Sequence, residues 1–400
     1  MKKIVIFTVF FLAIMCTVNR LLSQPIINLE PVSYYASIGD TVRVIVRINN
    51  VINLHSVSTT VKFNNSLVKY LRVNNLGGIT KGNWIGNQPS NSFVTDSVIV
   101  DQALQGAGLS VSGTDTLFSI YFKALANGVS PVTINSLDMR DPNNNAISAT
   151  LDSGHIFIGG ITVNAKVFLQ GPFNISANLM NSNLNSLGYL PLSQPYNTTP
   201  WDYTGTETVP VGFFSSKSYI VDWVFLELRP STNNGLTFSR KAALIKNDGT
   251  IVDALDGVSP VFILELSAGD YYLVIKHRNH LAVMSANSIA MTNKTPLYDF
   301  TNNLSKFFGG DAKQVNTGIY GLYAGDINAN GQIKYNGTGN DRSFILSVLG
   351  GDQLAIINGY YKEDVNMNGQ VRYNGSGNDR SVILSVLGGN QLGVKNSSVP

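Results

Sequence analysis

Apolar and polar residues alternate one by one along the first part of the chain. In Thr41-Val-Arg-Val-Ile-Val-Arg-Ile48, Val42, Val44, Val46 and Ile48 fall on one side, and Arg43 and Arg47 on the other. A period of two marks a half-buried strand, because successive side chains of an extended chain point to opposite faces. Shorter strand-like runs occur at 58–63, 98–100, 116–122, 132–134 and 155–158, separated by Gly, Asn and Asp. No long helical period interrupts them, so residues 25–160 are predicted to form a β-sandwich. Residues 161–323 give a second set of strands at 163–169, 221–228, 239–245, 261–266 and 271–276. Asn247-Asp-Gly-Thr250 is a hairpin turn by composition, and 267–270 reads as another turn. The expectation is a second β-sandwich of unassigned role.

From about Ala324 the pattern changes to a written-out repeat. Residues 325–351 and 363–389 are identical at 20 of 27 positions, with a period of 38 residues. Each copy begins Asp-x-Asn-x-Asn-Gly and continues into an apolar run of helical period, in which Phe344, Ile345, Val348 and Leu349 share one face. Gly350-Gly351 is placed to stop that helix, and Asn340 or Asp341 to cap its start. The expected fold class is therefore mainly β: two sandwiches (25–160 and 161–323), then a small loop–helix repeat module (324–400).

The opening of each repeat has the chemistry of a calcium loop. A hard cation takes six to eight oxygens, and alternate residues of an EF-hand-type loop supply them, with Gly at the sixth place for the turn. Asp326, Asn328 and Asn330 hold the first, third and fifth places, Gly331 the sixth, and Gln332 offers its backbone carbonyl. The second copy offers Asp364, Asn366, Asn368 and Gln370 in the same way. The twelfth place, where a carboxylate is usual, is Gly337 or Gly375; the next carboxylates are Asp341 and Asp379, 15 residues after each opening Asp. Tyr-Asn-Gly-x-Gly-Asn thus reads as a four-residue expansion that folds outward and returns Asp341 and Asp379 to the ion. Two carboxylates per loop instead of three point to weak binding, towards about 10⁻⁴–10⁻³ M. Two Ca²⁺ sites are expected.

Composition narrows the function. Charged residues are 13% of the chain and the net charge is +3, so there is no basic footprint for nucleic acid. Lys2 and Lys3, followed by the apolar stretch 4–18 and the small Ser23, read as a secretory signal peptide over residues 1–24, with an uncleaved anchor as the alternative. Cys16 is the single cysteine; Met15 before it disfavours a lipoprotein, and once the leader is removed no disulfide or thiolate site remains. No later apolar run is long enough to span a membrane. His277 and His280, three apart on a strand, would face opposite ways unless a turn intervened, with no carboxylate pair beside them. Asp222, Glu227 and Asp270 form no evident glycosidase dyad. Trp223 reads as core, while Trp84 and Trp201, in Gly-, Asn- and Pro-rich surroundings, are candidates to stack on a sugar.

Two family resemblances follow. Ser37-Ile-Gly-Asp-Thr-Val-Arg-Val44, Asn49-Asn-Val-Ile-Asn-Leu-His55, Val61-Lys-Phe63, Gly113-Thr-Asp-Thr-Leu-Phe-Ser-Ile-Tyr-Phe122 and Asp152-Ser-Gly-His-Ile-Phe-Ile158 together resemble a cohesin module, over about 135 residues. The doubled loop–helix resembles a type I dockerin, the calcium module that plugs into cohesins, over roughly 65 residues, departing from it at Asn330, Asn368 and the expansions. The resemblance implies a non-catalytic, secreted or surface assembly protein, with a cohesin- or dockerin-type protein partner or self-association. A carbohydrate-binding accessory role in polysaccharide breakdown is the alternative, since cohesins share their sandwich with certain sugar-binding modules. A hydrolase has no constellation behind it.

Overall fold

A computed structural model describes residues 24–74, 78–80, 84–90, 95–232 and 236–400, with only the backbone of residues 80 and 84–90. The leader assignment, including Cys16, and the side chain of Trp84 lie outside the described residues. The first unit is a two-sheet sandwich. One sheet runs in the order Thr150–Asp152, Ile26–Leu29, Thr41–Leu54, Val111–Ala124, Val68–Asn74; the other runs Ser33–Ala36, Gly154–Ile158, Gly128–Arg140, Ser56–Phe63, Ser97–Leu104, Trp84–Ser90. The predicted strands are present and longer than their sequence signals. Val44, Val46 and Ile48 are fully buried, and Val57, Val61, Val100, Val132 and Ile156 meet them from the facing sheet. Phe63 and Phe122 close the core between the sheets with ring centroids 4.9 Å apart. Each such burial contributes about 1.5–3 kcal/mol relative to exposure.

The first and last strands of this unit pair in parallel, Ile26–Asn28 against Thr150–Asp152 and Ser33–Ala36 against His155–Ile158. The chain then leaves through Gly159-Gly160. Gly160 has φ +60°, and a Cβ there would stand 2.5 Å from the Ile263 carbonyl, so the close turn into the next unit requires glycine. Tyr35 and Phe157 stack at 5.1 Å, and Phe157 meets Phe262 of the following unit at 4.9 Å.

The middle unit departs from the expected second sandwich. It is built on one antiparallel sheet, ordered Ile251–Val252, Ser239–Lys246, Ile220–Arg229, Gly269–His277, His280–Met284, with Ile289–Met291 paired to the start of Gly269–His277. Four small sheets of two or three strands accompany it. All ten positions of Ile220–Arg229 are buried, because the strand is covered on both faces. The predicted strand 163–169 is three short ones. Ile161–Val163 pairs with Val261–Ile263, Ala165–Lys166 with Tyr298–Asp299, and Phe168–Leu169 with Gly321–Leu322. Different partners bury the apolar residues of this segment in turn, and the half-buried Asn164 and Lys166 lie between them, so one strand-like run hid two breaks. The predicted strand 261–266 ends at Ile263, and Gly269 and Asp270, assigned to a turn, begin a strand opposite Met291 and Ala290. The Asn247–Thr250 turn forms as predicted, with Asp248 Oδ1 accepting from the Thr250 amide at 2.9 Å.

The last unit is a pair of loop–helix repeats related by the 38-residue period. Helices Asp341–Val348 and Asp379–Val386 bury Ile345 and Ile383 at equivalent places. Ile327, Ile333, Leu349, Val365 and Val371 complete the core. Asn340 and Asn378, not the following aspartates, are the N-caps, accepting from Ser343 N at 2.9 Å and Ser381 N at 3.0 Å. The repeats close reciprocally. Gln332–Lys334 of the first loop pairs with Val394–Asn396 beyond the second helix, and Gln370–Arg372 of the second loop pairs with Ile356–Asn358 beyond the first.

Candidate metal centres

Backbone folding of each loop sets its acidic ends together. Ala329 and Met367, at the fourth place, have φ near +55°, and Gly331 and Gly369, at the sixth, have φ +78° and +88°. These left-handed residues curl the loop, so that backbone amides point at the opening carboxylate. Asp326 accepts from Asn330 N and Gly331 N, both at 3.0 Å. Asp364 accepts from Asn368 N at 3.1 Å and Gly369 N at 2.8 Å. Asn328 and Asn366 accept from the same fifth-place amides, and Asn330 and Asn368 accept from Gln332 N and Gln370 N.

The expansion does what the spacing required. Asp341 returns to the loop, accepting from Ile327 N at 2.9 Å and Lys334 N at 2.8 Å. Asp379 repeats this with Val365 N and Arg372 N, both at 2.8 Å. Asn328 Nδ2 donates to Gly339 O, and Asn366 Nδ2 to Gly377 O, which tie the expanded turns to the loops. Of the expected ligands, the side chains of Asp326, Asn328, Asn330 and Asp341, and of Asp364, Asn366, Asn368 and Asp379, are thus tied into one loop in each repeat, while Gln332 and Gln370 join it through their backbone N–H groups.

The electrostatics of the four carboxylates is unusual for a surface module. Asp341, Asp364 and Asp379 are completely buried and Asp326 almost so. Burial and the neighbouring Asp341 push Asp326 up to about 7, and burial and Asp364 push Asp379 up to about 8. Burial likewise raises Asp341 and Asp364 to about 6. Two facing carboxylates out of water favour a bound cation or a shared proton. Each carboxylate has about four lone-pair sites and its amide bonds leave some of them open. Among the described residues no three His, Cys, Asp or Glu side chains cluster as a metal site. A metal here would take two carboxylates and otherwise amide and backbone oxygens, a hard-donor set that suits Ca²⁺.

A second constellation ties the repeats to the middle unit, and sequence reading missed it. Tight pairing of Gly269–His277 with His280–Met284 sets His277 against His280, their Nδ1 atoms 3.0 Å apart. The turn that the spacing required is present, and one carboxylate, not a pair, stands beside the histidines. Buried Asp222 accepts from His277 Nε2 at 3.2 Å, Arg278 Nε at 2.9 Å and Tyr360 OH at 2.6 Å. His280 Nε2 accepts from Gly171 N at 3.0 Å. The chain of bonds fits two neutral imidazoles, and burial lowers the pKa of both. Burial alone would raise Asp222, but Arg278 and His277 hold it at about 2. Arg278 also donates to the Tyr361 carbonyl, and Asn279 Nδ2 to the carbonyls of Lys362 and Asp364 at 3.0 and 2.8 Å. The second loop is thus clamped from below. A Cβ at Gly369 would lie 2.4 Å from Leu187 Cδ1, whereas one at Gly331 would find nothing nearer than Ser397 at 3.8 Å.

The remaining candidates separate. Glu227 sits in its own ion pairs with Arg229 and Lys276, away from the bonds of Asp222, and Asp270 is exposed. Trp223 is core, as expected, and Trp201 is half-buried on a cavity wall. No helix among the described residues is long and apolar enough to cross a membrane.

No protein-family model matches the chain, and no curated protein is similar to it. Solved structures similar to part of it include a non-cellulosomal cohesin from the archaeon Archaeoglobus fulgidus, at 19% identity and TM-score 0.28, covering 34% of this chain and 91% of that one. A type I cohesin–dockerin complex from Clostridium thermocellum gives 19% identity and TM-score 0.29, covering 34% of this chain and 99% of that one. A type II cohesin module from the adaptor scaffoldin of Acetivibrio cellulolyticus gives 13% identity and TM-score 0.29, covering 33% and 88%.

Proposed function

We propose that this is a non-catalytic, secreted or surface-held assembly protein, whose C-terminal repeats take calcium and dock on a receptor while its N-terminal sandwich offers a surface to a protein partner. The observation that carries the calcium part is the pair of buried, mutually repelling carboxylates in each loop, Asp326 with Asp341 and Asp364 with Asp379, each held in place by backbone amides of its own loop. A bound dication turns that repulsion into attraction and fixes the loop. The role as a docking module rests on the dockerin-like repeat, and the role of the sandwich on its cohesin-like sequence. The test is calorimetric titration of the whole chain with Ca²⁺, because the repeats share buried contacts with the middle unit. Two sites are expected, with one lost in Asp326→Ala and the other in Asp364→Ala. Absence of heat and of any shift in melting temperature with Ca²⁺ sinks the calcium reading.

A further inference from the structure

A cavity of about 400 Å³ lies where the middle unit meets the first loop and the C-terminal residues. Glu227 is on its wall, 3% exposed, with three cations around it: Lys276 Nζ at 2.8 Å, Arg229 Nη2 at 2.9 Å and Arg240 Nε at 3.5 Å. Burial alone would raise the pKa of Glu227, but Lys276 and Arg229 lower it, so it is ionised at neutral pH. One cation suffices to neutralise a buried carboxylate. Gathering two more beside it costs repulsion and contributes little to folding. The lining holds one other acidic side chain, Asp326, whose oxygens accept from its own loop amides.

The three cations are not equivalent. Arg229 is buried and engaged, giving its second Nη to the Pro400 carbonyl at 2.9 Å. Arg240 and Lys276 keep 47% and 27% of their side chains exposed, so both can meet a ligand. Beside them stands Trp201, held edge-on against Tyr196 at 5.2 Å and packed on the middle core, which gives the cavity a fixed aromatic wall. Past Thr237 and Arg240 the surface continues into a second depression of about 530 Å³ bordered by Tyr203 and by two carboxylates, Asp202 and Glu265, each accepting from a neighbouring hydroxyl, Thr199 at 3.0 Å and Ser239 at 2.6 Å. A guanidinium and an ammonium recognise a carboxylate, an aromatic face stacks on a sugar ring, and an elongated groove suits more than one ring.

We infer that this groove binds an acidic oligosaccharide, with the uronate carboxylate on Arg240 and Lys276 and a sugar face on Trp201. The inference goes beyond the assembly reading and does not depend on it. The test is calorimetry on the whole chain in Ca²⁺-containing buffer, with trigalacturonate and galactotriose, which differ in their carboxylates. Trigalacturonate is expected to bind, and galactotriose to bind at least about tenfold more weakly. Arg240→Gln and Trp201→Ala, checked for an unchanged melting temperature, are each expected to weaken trigalacturonate about tenfold or more. If Trp201→Ala melts early, Arg240→Gln and Lys276→Gln decide. The inference is overturned by equal binding of the two trimers, by no binding of either, by wild-type affinity in the Arg240 and Lys276 variants, or by equally tight binding of triglutamate.

Discussion

Asp222 shows how much of this molecule is decided by single buried charges. Its carboxylate neutralises Arg278 and bonds Tyr360, and so joins the middle sheet to the repeats. Asp222→Asn leaves Arg278 buried without its counter-ion, and the expected cost is about 3–5 kcal/mol, read as a lower urea midpoint by the fluorescence of buried Trp223. Acid acts on the same network in two stages. His277 and His280 are neutral when folded and protonate when unfolded, so the unfolded chain binds more protons below about pH 6.5 and stability falls as pH drops. Asp222, held at about 2, adds stability that is complete above about pH 4 and lost as pH falls towards 2. With Ca²⁺ in excess at both pH values, so that the four loop carboxylates stay ionised and do not titrate in this window, the urea midpoint should fall between pH 7 and pH 5; an unchanged midpoint under that condition refutes the neutral pair. None of this was legible in the sequence. Residues 222, 277–280 and 360 lie far apart in the chain, and each has an ordinary local context. The one available signal was the polar run His277-Arg-Asn-His280 closing an apolar strand, and the reversal that makes the histidines meet is a tertiary fact.

At the scale of elements, repetition and asymmetry pull apart. The loops are nearly the same in sequence and in hydrogen bonding, so their caps are expected to be equal: Asn340→Ala and Asn378→Ala should each cost about 1 kcal/mol. The glycines are not equal. Gly331→Ala and Gly369→Ala both strain a positive φ, at about 1–2 kcal/mol, but only the second also drives a methyl into Leu187. Leu187 is half-exposed and can swing aside, but the Tyr189 ring stands 3.2 Å away, so Gly369→Ala is expected to lower the melting temperature somewhat more than Gly331→Ala; equal melting temperatures would show that both neighbours give way freely. The loops were legible because ligand spacing is a local property, and the return of Asp341 and Asp379 followed from it. Sandwich strands were legible because one covered face writes a period of two. The middle sheet was read only as apolar runs, since Ile220–Arg229 is buried on both faces, and strands of two residues, such as Phe168–Leu169, leave no period to read.

At the scale of the whole molecule, the order of units decides what association can look like. The repeats rest on the middle unit through the second loop, with Asn279 and Leu187 beneath it. What they leave open includes Leu354 and Leu392, 83% and 84% exposed at places exactly one 38-residue period apart. A pair of equivalent exposed leucines on a small module is an economical docking surface, because hot spots are few and apolar contacts supply their strength. If the receptor is the sandwich of a second copy, the contact is heterologous, and such contacts propagate into chains unless the rotation closes a ring. In Ca²⁺, sedimentation velocity should then show species that grow with concentration and return to monomer with chelator. Leu354→Asp with Leu392→Asp should stay monomeric while still binding two Ca²⁺, which separates loss of the surface from loss of the loops. A wild-type chain that remains monomeric in Ca²⁺ at all concentrations rules out self-assembly.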